Sequence, residues 1–98
     1  MADYFLVKHV PGPAWDHSRP RREQDRWDEH AAFMDGLVED GVILMGGPVG
    51  EVEGELTVHV VTITDEAAVR ARFAEDPWAG DKLVVHRIQP WTVWLRPA

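Results

Sequence analysis

The chain has 98 residues, enough for one hydrophobic core and too few for two, and its 45% apolar content with five tryptophans excludes a disordered chain. Seventeen acidic side chains against ten basic ones leave a formal charge of −7, which argues against nucleic acid and anionic membranes as partners. The absence of cysteine removes disulfides, thiolate metal sites and thiol nucleophiles together.

Met1-Ala2-Asp3 runs straight into a strand pattern, and no apolar run approaches the ~18 residues that span a bilayer, so a soluble, cytoplasmic, single-domain protein is expected over residues 1–98. Tyr4 to Val10 is aromatic and β-branched and is stopped by Pro11-Gly12-Pro13, which predicts the first strand. A long loop follows to about Arg22, carrying Trp15, His17 and the basic cluster Arg19-Pro20-Arg21-Arg22, which the acids just after it neutralise. From about Arg22 to Asp40, Trp27, Ala31, Met34, Leu37 and Val38 recur at helical spacing, and Gly41 ends the helix. His30 falls one turn before Met34 and two before Leu37, so it points to the apolar side.

Val42 to Met45 predicts a second strand, with Gly46-Gly47-Pro48 as a tight turn after it. Leu56 to Ile63 predicts a third, apolar in both alternating sets, which implies cover on both faces. Thr64-Asp65-Glu66 caps a second helix with Ala68, Val69 and Phe73 inward, stopping near Asp76 because Pro77 follows. Lys82 to Ile88 and Trp91 to Leu95 complete the last strand, bent or bulged at Pro90 near an edge. The order strand, helix, strand, strand, helix, strand is that of the ferredoxin-like α+β fold, a four-stranded antiparallel sheet with both helices on one face. The bare face then needs a second copy, so a homodimer is expected.

Two residues stand out for chemistry. His30, turned into an apolar stripe, has the character of a general base or acid, although a hydrogen-bonded core histidine has the same pattern. Asp76 before Pro77 reads first as a cap for a short helix; beside His30 it would serve as the carboxylate that orients an imidazole. Gly47 and Pro48 could let backbone approach a ligand, and Trp15 and Trp78 could wall a pocket, though tryptophans more often anchor a core or an interface. A metal reading places His9, His59 and His86 on three neighbouring strands, but no compact ligand spacing supports it.

Trp27-Asp28-Glu29-His30-Ala31-Ala32-Phe33-Met34, Gly41 with Gly46-Gly47-Pro48, Asp76-Pro77-Trp78 and the closing Gln89-Pro90-Trp91-Thr92-Val93 together resemble the YCII-related family, small proteins of the dimeric α/β-barrel type. The resemblance spans nearly the whole chain. It implies a His30–Asp76 dyad in a pocket, a homodimer, and cofactor-free lyase or isomerase chemistry, since dehydrochlorination of a chlorinated ring is linked to that family and the similar muconolactone isomerases move protons on small rings. A non-catalytic metabolite-binding module is the alternative it leaves open. The loop with Trp15 and His17 is an addition relative to the shortest members.

Overall fold

The computed structural model describes residues 3–52 and 55–97. Four strands, β1 (Tyr4–Pro11), β2 (Ile43–Val49), β3 (Leu56–Val61) and β4 (Leu83–Trp91), form one antiparallel sheet in the order β2-β3-β1-β4, with helices α1 (Trp27–Glu39) and α2 (Glu66–Phe73) between them. The chain order and the sheet order are those of the ferredoxin-like fold.

Period-two alternation decides what faces the helices. Val7 of β1, Val61 of β3, Ile43 of β2 and Ile88 of β4 share a core with Leu37 of α1 and Val69 and Phe73 of α2, so both helices cover the same face. The opposite face presents Leu6, Met45, Val49, Val58, Val60 and Trp91 around a groove of about 440 Å³. Met45 is 67% exposed and Trp91 42%, an apolar surface bordered on one side by Val93 and Leu95 of the C-terminal tail.

Helix α1 starts five residues later than the periodicity predicts. Arg21–Glu23 is a separate 3-10 turn, and Arg26 takes a left-handed conformation (φ 63°), which breaks the run before Trp27. The helix ends as expected: Gly41 (φ 75°) donates its N–H to the Val38 carbonyl and Val42 donates to Leu37, a Schellman motif. At α2 the Asp65 carboxylate accepts the Ala68 N–H at 3.0 Å, the expected N-cap.

Gly46-Gly47-Pro48 is not a turn. The three residues lie inside β2, paired with His59, Val58 and Thr57. An edge strand tolerates Pro48, whose missing N–H costs no ladder bond on the outer side. The last strand also ends sooner than predicted, at Trp91, leaving Trp94 88% and Leu95 92% exposed. Its irregularity is at His86 rather than Pro90, because the register against β1 shifts between Lys8, opposite Arg87, and His9, opposite Val85. Pro90 sits regularly opposite Phe5 on the other edge of the sheet.

Candidate functional site

The 3.6-residue period aims His30 from the first turn of α1 toward the chain segment that follows α2. There Nδ1 of His30 lies 2.9 Å from each carboxylate oxygen of Asp76. The pair is interior, with His30 4% and Asp76 8% exposed. Oδ1 of Asp76 also accepts the backbone N–H of Trp78 at 2.9 Å, so one carboxylate both caps the turn after Pro77 and holds the imidazole. Asp76 therefore caps a turn rather than the short helix expected, and the same carboxylate contacts the imidazole.

Tryptophan packing fixes the ring plane. His30 stacks on Trp78 with centroids 3.9 Å apart and planes 6° from parallel, and Trp27 approaches it at 5.7 Å. Trp78 is fully buried, its indole N–H donates to the Asp25 carbonyl at 2.8 Å, and Trp15 meets it edge-on at 5.8 Å. The long loop is ordered by Gln24, 4% exposed, whose side chain accepts from the Asp16 N–H and donates to the carbonyls of Asp16 and Arg19. Arg26 reaches across to the Pro77 carbonyl at 3.3 Å, tying the start of α1 to the Asp76 turn.

Beside the pair opens a cleft of about 670 Å³ between the Pro20–Glu23 turn and the end of β2, walled by Arg21, Arg22, Trp27, Pro48 and Glu51 among others. His30 and Asp76 are not among its walls; Trp27 is what the cleft and the pair share. Of the four residues expected to bind a ligand, Pro48 borders this cleft. Gly47 lies on the open face of the sheet, opposite Val58. Trp15 (5% exposed) and Trp78 (0%) are packed in the small core under the loop with Leu83, so they act on a ligand only through what they hold in place.

His9 and His59 do meet, with ring centroids 5.9 Å apart, and both pack on Phe73. His86 does not join them, because it is the extra residue of the β1–β4 irregularity and is exposed. Among the described residues no group of three or more histidine, aspartate or glutamate side chains is placed to hold a metal ion. Burial lowers both His9 and His59 to about 4, reinforced by Arg21 and His30 and opposed by the Asp76 carboxylate; His9 adds to the effect on His59. Arg21 completes this layer by donating from Nη2 to the Thr57 hydroxyl at 2.7 Å while its guanidinium lies 5.3 Å from the centre of the Trp15 ring. His9 and His59 share the inward faces of their strands with Val7, Thr57 and Val61, while Arg21 is delivered by the 3-10 turn after the long loop.

Strand β2 gives up a side chain to this layer. A Cβ at Gly46 would collide with the His59 ring and stand 2.8 Å from the Val58 carbonyl oxygen. Gly46→Ala is expected to cost about 1–3 kcal/mol in urea unfolding through overpacking against a backbone atom that cannot rotate away. An unchanged midpoint would show that the ring has room to move.

The chain is an α+β domain of ferredoxin-like topology in which His30 of α1 is buried against Asp76, beyond the end of α2. Residues 4–92 match the family of YCII-related domains, and the chain belongs to that family. No curated protein and no solved structure matches it.

Proposed function

We propose that this protein is a cytoplasmic, cofactor-free enzyme of the lyase or isomerase kind, acting on a small cyclic or aromatic compound. The observation that carries the reading is the contact of His30 Nδ1 with both oxygens of Asp76 in a buried setting. A carboxylate there takes the Nδ1 proton in a hydrogen bond and leaves the Nε2 lone pair as the base. A substrate C–H proton passes to Nε2 and Asp76 balances the charge the ring then carries; the electron pair left on carbon either delocalises so that the proton returns to another carbon, or forms a double bond as the bond to a leaving group breaks, and the proton departs with that anion. Stacking on Trp78 holds the ring plane through the transfer, a positioning role.

The reading includes a homodimer, supported by the apolar sheet face around Met45 and Trp91, which a second copy would bury. Small cyclic ketones and lactones in deuterated water test the chemistry. The wild type should accelerate deuterium entry at the carbon next to the carbonyl, and a folded His30→Ala chain should be slower by about 10²–10⁴-fold. Equal rates in the two chains would remove His30 from the reaction.

One observation favours a second reading, a metabolite-binding module that breaks no bond: the cleft is walled by Trp27 and not by the pair. In that case affinity varies with pH and no exchange above background occurs at any pH.

A further inference from the structure

His9 and His59 are a feature that the proton-transfer reading leaves unused. They stand on adjacent strands, on the sheet face toward the helices, 5% and 7% exposed. Nδ1 of each is buried with no hydrogen-bond partner among the described residues. A core built only for packing sheds such groups, since leucine fills the space without an unsatisfied polar atom. Here the chain does the opposite, and keeps position 46 a glycine so that the His59 ring fits.

We propose that His9 and His59 form the floor of a ligand subsite that takes the uncharged oxygen, hydroxyl or carbonyl, of a small ring compound. This rests on the reading of the neighbouring pair as a small-molecule site and deepens it by naming the group recognised. Neutral imidazole Nδ1 either donates or accepts, and a hydroxyl or carbonyl oxygen is the smallest partner that answers it. Burial is what disfavours a charged group here, since two partnerless nitrogens do not offset the desolvation of an ion.

Arg21 marks the way in. Its side chain walls the cleft and also bonds Thr57, which lies opposite His9 in the sheet and two residues before His59 on the same face. Arg21 is thus the side chain shared by the cleft and the layer that holds the two histidines.

The test uses full-length protein with ¹⁵N-labelled histidine and four probes: cyclopentanone, cyclopentanol, cyclopentane and cyclopentanecarboxylate. In the wild type, the ring nitrogens of His9 and His59 should shift saturably with the ketone or the alcohol. His9→Leu and His59→Leu should each weaken those two probes at least about tenfold and leave cyclopentane unaffected, because only an oxygen loses its partner. Equal binding of cyclopentane, preference for the carboxylate, or no movement of these nitrogens with any probe would overturn the proposal. The wild-type measurement stands even if a variant fails to fold. Oxygen selectivity without deuterium exchange would sink the reaction and keep the subsite; exchange without selectivity would do the reverse.

Discussion

Acidification from pH 7 to pH 4 is expected to remove most of the stability of the fold. In the folded chain His9 and His59 ionise only near 4, against 6.5 for a free histidine, because burial penalises the imidazolium. Between those values the unfolded chain binds protons that the folded chain refuses, so stability rises with pH across this window. It is complete above about 6.5, declines as pH falls, and levels off below about 4. Each 1-unit shift is worth about 1.4 kcal/mol, so each histidine withdraws about 3 kcal/mol, and two of them rival the 5–15 kcal/mol that holds a typical domain together. Urea midpoints at pH 7, 5.5 and 4.5 read this directly. His9→Leu with His59→Leu should flatten the curve, whereas a wild-type profile already level across that range contradicts the burial of neutral rings.

The second large effect comes from splitting the dyad. His30→Ala leaves the Asp76 carboxylate in the interior without the imidazole that both its oxygens contact, at a cost of about 3–5 kcal/mol. Asp76→Ala leaves both His30 Nδ1 and the Trp78 N–H without their acceptor, worth about 1–3 kcal/mol for each buried group stranded. Changing both residues to alanine removes donor and acceptor together, so the loss in the double variant should be smaller than the sum of the two single losses by about 1–3 kcal/mol. Deuterium exchange should be lost in all three chains. A double variant that regains stability without regaining exchange separates function from packing; additive losses would mean that the two side chains do not act as a unit.

His30 was legible because helical periodicity assigns a face to each residue, and one polar side chain in an apolar stripe is conspicuous. Asp76 was legible as a turn residue before Pro77; its partner 46 positions away left no mark in spacing or pattern, which record nothing of a contact between distant segments, and only the family resemblance implied it. The Gly-Gly-Pro stretch misled for a related reason. Its composition is that of a turn, but the position is an edge strand, and Gly46 is there to admit the His59 ring. Arg26 is a second instance: its left-handed backbone splits an apparently continuous helix, and it holds the Pro77 carbonyl from the other side of the site.

By itself the sequence determined the element order, the inward faces of the helices, the cap at Asp65, the stop at Gly41, and therefore the fold. These follow from interactions within a few residues and from burial, which leave periodic marks along the chain. The tertiary structure supplied the contact between Asp76 and His30 that the resemblance had implied, and alone decided that Arg21 and Thr57 join His9 and His59 in one layer and that Trp15 and Trp78 are packed in a core. Such pairings depend on how separate elements stack on the sheet. Stacking is set by the summed shape and volume of many side chains, a quantity that no short stretch of residues carries.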